Sequence, residues 1–531
     1  MAVKKMIGLD FGTLSARGML LGAEDGAVYA QAVYTYPHGV MDGNDPLCAA
    51  LPEGCALAHP DDYLAALDHC VRQLAAQAEP GEIVGIGVDA TTYSMVPCQE
   101  NGEPMCHLPE FAREPMAYIK LWKHHCAKDQ ALRIQEAHRR TGGIPAIRRC
   151  GGLVNCEWAL PKLLETYERA PALAERTFRF CDLGEWLVWQ LTGKPVNSLY
   201  SQGFKCMWAQ DLGGPEKETL ESLRPGFAAA VGEKLLGQPG GYEVPCGSLT
   251  PEAAGRLGLS AGTAVAAPIG DGSAPGLYFC LSHPGSLAIS YGTSIGMAFC
   301  LPELKELSGI NGVVKDGIVP GFWGYDAGQP CAGDMLDWFV TNQLPPAYAE
   351  QARGDVHGCL SRLAEAAEPW RNTLTVLDWW NGNRGILNDL SLRGAVLGLS
   401  LSTKPEDIYC AMLQGIACGS RRILDHLQDH GITFEQIIVC GGIAEKNPFA
   451  LRQYADILGR EILVSDRSQL AARSAAMLGA MAAGIPPEET AARMAGSGLE
   501  PVRPDEAHRE AYEAIYRRWK RYHDCLAHVE K

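Results

Sequence analysis

The most informative segment of the chain is Ile7-Gly8-Leu9-Asp10-Phe11-Gly12-Thr13-Leu14-Ser15. The same pattern occurs a second time as Leu287-Ala288-Ile289-Ser290-Tyr291-Gly292-Thr293-Ser294-Ile295. Both segments consist of an apolar strand, an aromatic-Gly-Thr turn and the start of a second apolar strand. The second strands continue with Met19-Leu20-Leu21 and Met297-Ala298-Phe299. Both units are therefore predicted to be β-hairpins rather than strand-to-helix turns.

The two Gly-Thr turns are suited to holding a polyphosphate between two domains. Glycine permits a tight turn and a close approach of the backbone, and threonine adds a hydroxyl group. Asp10 precedes the first turn, where phosphate chemistry needs magnesium, and is expected to place that ion directly or through a water molecule. One such turn alone is more often an ordinary hairpin. The repeat, together with Asp10, favours a nucleotide site.

Other phosphate-binding motifs fit the sequence less well. No GxxxxGK[ST] motif occurs, which argues against a P-loop. Residues 85–90 match GxGxxA, but the chain continues from Thr91 to Pro97 as a β-rich segment. A dinucleotide-binding fold needs a helix at that point, so this match is not expected to bind a dinucleotide.

The C-terminal part of the chain predicts a surface for the nucleoside end of the ligand. A helix is expected to begin after Thr403 and to end at Gly431. A short strand at 436–440 then runs into Gly441-Gly442, and Asn447 is suited to cap the following helix. A strand, paired glycines and a helix start can hold ribose or phosphate against bare backbone. Taken alone, the pattern also fits an ordinary βα connection.

Asp271 is the candidate general base. Residues 265–276 read as a strand that delivers this carboxylate into a glycine-rich turn. An aspartate in such a turn commonly stabilises the turn itself by a local hydrogen bond. Because Asp271 comes just before the second hairpin, at the inferred junction of two domains, we expect it to accept a proton from the substrate.

Composition sets the broad class. With 531 residues and 57.2 kDa, the chain predicts two large domains with a site between them. The net charge of −16 and the lack of a long Lys/Arg cluster argue against nucleic acid. No signal-peptide segment is expected in the first ten residues and no membrane-spanning segment elsewhere, which predicts a cytoplasmic protein with no membrane partner. The 19 cysteines are predicted to be reduced core thiols.

Together these residues resemble the FGGY family of carbohydrate kinases, and the resemblance covers nearly the whole chain. The matching motifs are Asp10-Phe11-Gly12-Thr13-Leu14-Ser15-Ala16-Arg17, Leu121-Trp122-Lys123-His124-His125, Gly324-Tyr325-Asp326-Ala327-Gly328-Gln329, Trp380-Asn381-Gly382-Asn383-Arg384 and the stretch from Gly394 through Gln414.

The resemblance implies an α/β fold of two ribonuclease-H-like, actin-like ATPase domains with a catalytic cleft between them. Residues 1–272 would form the sugar-binding domain and residues 273–531 the nucleotide-binding domain. The implied ligands are ATP, Mg²⁺ and a sugar, with Asp271 as the general base and Asp10 at the metal. The residues implied to bind the nucleotide are Gly12, Thr13, Ser15, Arg17, Gly292, Thr293, Gly441, Gly442 and Asn447. Those implied to bind the sugar are Trp122, Lys205, Asp271 and Asp326.

Several of these positions have a plainer interpretation. Trp122 could be a buried aromatic, and Lys205 a surface lysine. His124 and His125 are assigned no metal, since adjacent histidines on a helix point in different directions and no acidic ligand accompanies them.

Three positions depart from the pattern of the nearest relatives within the family. Asp326 stands where glutamate is usual, Ala90 where an aromatic residue often follows the aspartate, and Ser474 where a glycine is normal, on the expected adenine side. The first two departures leave the identity of the sugar open.

The expected reaction is the phosphorylation of a primary hydroxyl of a ketopentose or related sugar, giving a sugar 5-phosphate and ADP. Another ketose such as xylulose, or a polyol, remains an alternative. An actin-like ATPase would not explain Asp271 together with the sugar-site residues. A sugar sensor without activity would need an inactivating substitution, and Asp10, Thr13, Asp271 and Thr293 are all present. The oligomeric state is open, a homodimer included.

Overall fold

The computed structural model of the chain describes residues 4–49, 51–496 and 498–528. The start of the N-terminal stretch used above, Met1 to Val3, lies outside these ranges. Within them, no helix combines the length and the apolar composition that crossing a bilayer requires.

The first half of the chain contains eleven strands and nine α-helices in the described ranges. The strands are β1 (Lys5–Phe11), β2 (Ser15–Gly22), β3 (Val28–Thr35), β4 (Leu57–Ala58), β5 (Ile83–Ala90), β6 (Met95–Cys98), β7 (Ile119–Lys120), β8 (Arg179–Asp182), β9 (Gly247–Ser248), β10 (Ala264–Val265) and β11 (Ile269–Gly270). The helices are α1 (Pro60–Ala75), α2 (Lys128–Thr141), α3 (Ala159–Arg169), α4 (Pro171–Arg176), α5 (Leu183–Thr192), α6 (Leu199–Lys205), α7 (Lys217–Leu223), α8 (Phe227–Lys234) and α9 (Pro251–Leu257).

The second half adds nine strands and ten α-helices over the same described part of the chain. The strands are β12 (Ser286–Tyr291), β13 (Ile295–Leu301), β14 (Gly312–Lys315), β15 (Trp323–Gln329), β16 (Thr375–Leu377), β17 (Ala395–Leu397), β18 (Gln436–Cys440), β19 (Ile462–Ser465) and β20 (Leu499–Val502). The helices are α10 (Ala274–Cys280), α11 (Gly333–Asn342), α12 (Pro346–Ala352), α13 (Val356–Ala366), α14 (Pro405–Asp429), α15 (Gly442–Lys446), α16 (Pro448–Leu458), α17 (Leu470–Ala482), α18 (Pro487–Met494) and α19 (Arg509–Leu526).

Two seven-stranded sheets organise the molecule, and they share a local plan. In the first, β1 pairs antiparallel with β2 and parallel with β5, in the order β3-β2-β1-β5-β10-β9 with β11 also on β5. In the second, β12 pairs antiparallel with β13 and parallel with β18, in the order β14-β15-β13-β12-β18-β19-β20. The predicted hairpins, one in each half of an α/β protein, are confirmed.

Helix α17 lies between the two sheets, although it belongs to the C-terminal half. A methyl group at Gly8 or Gly87 would overlap the α17 backbone at Ala472 or Ala475, so the helix rests directly on β1 and β5. Other residues of α17 belong to a buried cluster with side chains of both sheets, which includes Met6, Ala288, Ile438, Ala476 and Met477. The chain crosses from the first sheet to the second between β11 and β12. The domain boundary at 272/273 falls there and stays a prediction.

The local signals in the C-terminal half are confirmed. Helix α14 begins at Pro405 and ends at Asp429, and β18 is followed by α16 with Asn447 as its N-cap. The helix α19 packs into the core of the second half through Tyr512 and Trp519. The segment after β5 is a short strand, as predicted. All 19 cysteines are free thiols, and only Cys246 and Cys525 are not fully buried.

Candidate functional site

Three carboxyl groups meet where adjacent strands of the first sheet end. Asp10 stands near the end of β1, directly opposite Asp89 on the parallel strand β5. Asp271 follows β11, and its amide donates to the carbonyl oxygen of Ala90 at 3.1 Å. The Arg17 side chain lies at the edge of this group, with its Nη1 3.5 Å from Asp10 Oδ2. Parallel strands end at the same edge of a sheet, which is why residues distant in sequence converge here.

The pKa of all three carboxyls is raised, chiefly because the surrounding protein replaces water around them, although the Asp271 side chain itself stays exposed to the solvent in the cleft. For Asp271 burial and the charge of Asp10 outweigh the Gly272 amide, 2.8 Å from Oδ1, and the charge of Lys205, which raises the pKa to about 7. Burial and the neighbouring Asp10 and Asp271 raise the pKa of Asp89 well above its usual range. Asp89 is fully buried, and neither of its side-chain oxygens has a partner among the described residues. The protonated form of Asp89 is therefore favoured.

Local sequence patterns do not single out Asp89, because it stands inside the weak glycine motif at residues 85–90. The available signal was a buried strand ending in a carboxylate, which is the pattern shown by β1 and Asp10.

The turn that holds Asp271 also touches the second hairpin. The carbonyl oxygen of Gly272 is 3.3 Å from the point where a Cβ would stand on Gly296 in β13. Asp271 thus lies between Asp10 on one side and strand β13 of the β12–β13 hairpin on the other. That the two Gly-Thr turns face one another across a polyphosphate stays a prediction. The local hydrogen bond from Gly272 is present as well, so the turn-stabilising role and the central position coexist.

Each Gly-Thr turn is closed by its own backbone. The Gly12 amide donates to the Ser15 carbonyl oxygen at 3.0 Å, and the Gly292 amide to the Ser294 carbonyl oxygen at 3.1 Å. The second turn is held further by the start of α11, where the Ala332 amide donates to the Thr293 carbonyl oxygen at 2.8 Å.

Lys205 and Asp326 form an ion pair beside Asp271. Lys205 ends helix α6, and its Nζ is 3.6 Å from Asp326 Oδ2 on β15. Asn311 donates to the other oxygen of Asp326 at 3.2 Å. Both side chains are nearly buried, at 10% and 11% exposed, so the interpretation of Lys205 as a surface lysine is wrong. The pair joins the two halves of the chain, and both charges act on Asp271.

Trp122 lines a cavity in the cleft. Its Nε1 donates to the Thr13 hydroxyl at 3.1 Å, so the indole is tied to the first Gly-Thr turn. The cavity encloses about 310 Å³ and has Trp122, His125 and Glu157 on one wall and Asp334 and Asn381 on the other. The alternative of a wholly buried aromatic is therefore wrong.

The residues predicted at the nucleoside end lie beside the second hairpin. Gly441 has φ of +99°, and a Cβ on it would stand 2.8 Å from the Tyr291 carbonyl oxygen. A Cβ on Gly442 would meet nothing within 4 Å, which leaves open backbone. Asn447 accepts from the Ala450 amide at 3.0 Å and so caps α16.

Ala90 and Ser474, two of the three positions that depart from the family pattern, are both buried inside the protein. Ser474 is fully buried, and its hydroxyl donates to the Ala274 carbonyl oxygen at 2.7 Å, which joins α17 to α10. The expectation that it adds a side chain beside the adenine is therefore wrong. Ala90 is 1% exposed and lies under the Asp271 turn, because its carbonyl accepts the Asp271 amide.

Acidic residues do accompany His124 and His125, so the expectation from the sequence is wrong here. His124 Nε2 is 3.1 Å from Glu165 Oε2, and His125 Nε2 is 3.0 Å from Glu157 Oε1. The residues follow β7 in turns rather than in a helix.

The ligand atoms of His124, Cys126 and Glu165 lie within 4.8 Å of one another, but charge in this group is already balanced. Lys120 Nζ is 2.8 Å from Glu165. The Ala56 amide points at His124 Nδ1 from 3.3 Å, which leaves Nε2 protonated toward the glutamate. The group is a buried ion-pair network.

Comparison with known proteins now gives the family. The C-terminal domain of the FGGY family of carbohydrate kinases matches residues 287–483. A ribulokinase of Bacillus licheniformis is 37% identical over 477 residues, which cover 89% of this chain and 86% of that protein. A ribulokinase of Geobacillus thermodenitrificans is 35% identical over 542 residues, covering 100% and 96%. The crystal structure of a xylulose kinase from Rhodospirillum rubrum has the same fold, with a TM-score of 0.77 at 20% identity over 98% of this chain and 99% of that one.

The chain belongs to the FGGY family of carbohydrate kinases and is an ATP-dependent sugar kinase, as its motifs predicted. Within that family the chain is similar to ribulokinases over nearly its whole length. The two-domain, actin-like arrangement agrees with the fold shared with the xylulose kinase.

Proposed function

We propose that the protein transfers the terminal phosphoryl group of ATP to a primary hydroxyl of ribulose, forming ADP and the sugar 5-phosphate. The choice of ribulose rests on the relatives, which are ribulokinases. The observation that carries the chemistry is the position of Asp271 between two Gly-Thr hairpins, with a pKa of about 7. A general base is most effective when its pKa lies near the working pH.

Asp271 would accept the hydroxyl proton as the sugar oxygen attacks the phosphorus atom, while the bond to the departing ADP oxygen breaks. Phosphoryl transfer requires mainly alignment and stabilisation of charge. The amides and hydroxyls of Thr13 and Thr293 would supply both, while Gly12 and Gly292, whose amides close the turns, let the backbone approach the phosphates. Ser15 and Arg17 extend the first wall toward the phosphates. Gly441, Gly442 and Asn447 offer backbone and amide contacts for the nucleoside.

The residues present fit a magnesium ion bound with the nucleotide. Asp10 and Asp271 offer carboxylate oxygens at the rim, and Mg²⁺ prefers such ligands in combination with phosphates. Burial and the charge of Asp10 raise the pKa of Asp89 and Asp271, and a cation would stabilise the negative charge of this group. Asp10 would hold the ion directly or through water. When bound, the ion would neutralise charge that develops on the phosphates.

The sugar is proposed to lie against Trp122, with hydroxyl groups bound by Lys205 and Asp326. The aromatic face can cover the apolar side of a sugar, and the ion pair offers both donors and acceptors. Asp326 is one methylene shorter than the glutamate usual at this position, and its carboxylate contacts Lys205 and Asn311. We propose a cytoplasmic enzyme, and a homodimer remains an open prediction.

A coupled ADP-release assay across L-ribulose, D-ribulose, xylulose and a series of polyols tests the proposal, with the product identified by NMR. The expected result is the largest kcat/KM with a ribulose isomer and a 5-phosphate as product. A preference for xylulose would change the proposed substrate but not the proposed class of reaction. ATP hydrolysis that no sugar increases would overturn the proposed function.

A further inference from the structure

Two of the sequence motifs contain residues that have no role in the proposed reaction, and these residues meet in the structure. One is the segment Leu121–His125 in the first half, and the other is Trp380–Arg384 in the second half. His125 and Arg384 both contact the same side chain, Glu157. Glu157 and Arg384 are 227 residues apart in the chain, so this contact exists only because the two halves come together.

The contact is a nearly buried ion pair with a third member. His125 Nε2 is 3.0 Å from Glu157 Oε1, and Arg384 Nη1 is 3.4 Å from Glu157 Oε2. The side chains of Glu157 and Arg384 are 8% and 15% exposed. Burial alone would raise the pKa of Glu157, but the hydrogen bond with His125 and the charge of Arg384 outweigh it and lower the pKa to about 2. Glu157 is therefore charged at any working pH.

Two members of this group, His125 and Arg384, are held close to residues of the cleft. His125 directly follows the segment that holds Trp122, and its amide donates to the Gly54 carbonyl oxygen at 2.9 Å. Arg384 lies between β16 and β17. A Cβ on the next residue, Gly385, would stand 3.1 Å from the carbonyl oxygen of Gly328 in β15. Strand β15 also carries Asp326 of the sugar site.

The pair also borders the cavity that Trp122 lines. Glu157 and His125 form part of one wall, and Asn381, three residues before Arg384, forms part of the other. If the two halves separated, this cavity would open and both charges would be exposed to water. A charge pair of this kind favours the closed arrangement only while both partners are present, because a single buried charge is costly.

We propose that the Glu157–Arg384 ion pair is a latch that holds the cleft closed over the sugar, with His125 as the residue that positions Glu157. The inference rests on the proposed function, since it concerns closure of the same sugar site. Closure excludes water and aligns the reacting groups. Loss of the latch should therefore weaken sugar retention and allow ATP to be hydrolysed without transfer to the sugar.

Four variants test the latch: Glu157→Gln, Arg384→Gln, the double variant, and Arg384→Lys, which keeps the charge. Arg503→Gln is the matched control, because Arg503 forms an exposed ion pair with Glu461 within the second half, at 2.7 Å. The measurements are the sugar KM, kcat, the ratio of ADP released to sugar phosphate formed, and the radius of gyration by X-ray scattering with and without sugar and ADP.

Each Gln variant is expected to raise the sugar KM about tenfold and to increase the ratio of ADP to sugar phosphate, with a smaller change in kcat. The double variant should be no worse than the worse single variant. Arg384→Lys should restore most of the sugar affinity, and Arg503→Gln should behave as the wild type. The single variants should also lose part of the compaction that the ligands induce.

The latch is overturned if Arg384→Gln keeps the wild-type KM, product ratio and ligand-induced compaction. It is overturned equally if the two single effects multiply in the double variant. These outcomes differ from failure of the proposed function, in which the wild-type enzyme itself phosphorylates no sugar of the panel. If Glu157→Gln folds poorly, Arg384→Gln and Arg384→Lys still test the latch, because Arg384 lies in the other half of the chain.

Discussion

The two Gly-Thr hairpins share a backbone plan and differ in the side chains at the matching strand positions. In the first sheet Asp10 on β1 lies opposite Asp89 on the parallel strand β5. In the second sheet the matching residue, Ser290 on β12, lies opposite Cys440 on the parallel strand β18. The repeat therefore preserves the turn and the strand pairing, but only one copy carries carboxyl groups.

This difference indicates how the two walls of the cleft divide the chemistry. Carboxyl groups on both walls would repel a polyphosphate from either side. Because the acids at these matching positions lie on the first hairpin only, Asp10 with its neighbour Asp271 (the acidic wall) can handle the proton and a cation. The second hairpin with Gly441 and Gly442 (the neutral wall) offers amides and hydroxyls to the nucleotide.

Removing the base on the acidic wall should nearly abolish turnover. Asp271→Asn keeps the size of the side chain but cannot accept the proton, so kcat is expected to fall by about 10² to 10⁴. ATP and sugar affinities, measured by calorimetry, should stay near the wild-type values. A folded Asp271→Asn protein with almost normal kcat would remove Asp271 from the mechanism.

The matching positions on the two hairpins should respond unequally. Asp10→Asn is expected to lower kcat by about 10², because it removes charge at the proposed metal position. Ser290→Ala on the neutral wall should change kcat by less than about tenfold, the size of one net hydrogen bond. Steady-state kinetics over a range of magnesium concentrations compares the two. Equal losses would show that the division between the walls is wrong.

The acidic wall should also determine the pH dependence. Because the pKa of Asp271 is raised to about 7, the carboxyl is protonated below that pH and cannot act as a base. We expect kcat/KM for the sugar to fall about tenfold per pH unit below the pKa and to level off above it. A pH profile of initial rates checks this. Constant kcat/KM down to pH 5 would argue against a base with this pKa.

The smallest effects are expected on the neutral wall, where two adjacent glycines differ. Gly441→Ala places a Cβ 2.8 Å from a carbonyl oxygen at φ of +99°, which should lower the free energy of unfolding by about 1–3 kcal/mol. Gly442→Ala meets open space at the start of α15, and its effect should stay within about 1 kcal/mol of zero. Urea denaturation of both variants measures the difference. A larger loss for Gly442→Ala would contradict the assigned backbone roles.

The features that could be predicted from the sequence depend on local patterns. The hairpins, the strand leading to Asp271 and the capped helix after β18 each follow from residues close in the chain. The likeness to a kinase family added the candidate residues at the sugar site, and the structure brings Lys205 and Asp326 together beside Asp271.

Contacts between distant residues could not be predicted in this way. Glu157 has no unusual neighbours in sequence, and its role depends on Arg384, which lies in the other half. For Ser474 the sequence suggested a ligand-facing position that the structure does not show. Its place in a run of small residues gives no information about which surface the helix α17 covers. The partner of an apolar helix is set by packing, and many apolar surfaces offer a similar free energy.

The position of α17 on β1 and β5 has a consequence for biosynthesis. Both strands emerge from the ribosome early, while the helix that covers them ends at Ala482. At about 5–20 residues per second, synthesis of the chain from the end of β5 to the end of α17 takes roughly 20–80 s. During this time the face of β1 and β5 that α17 will contact stays exposed. A nascent chain that stops before α17 should therefore expose the glycine-lined surface of β1 and β5, and chaperones would have reason to bind there.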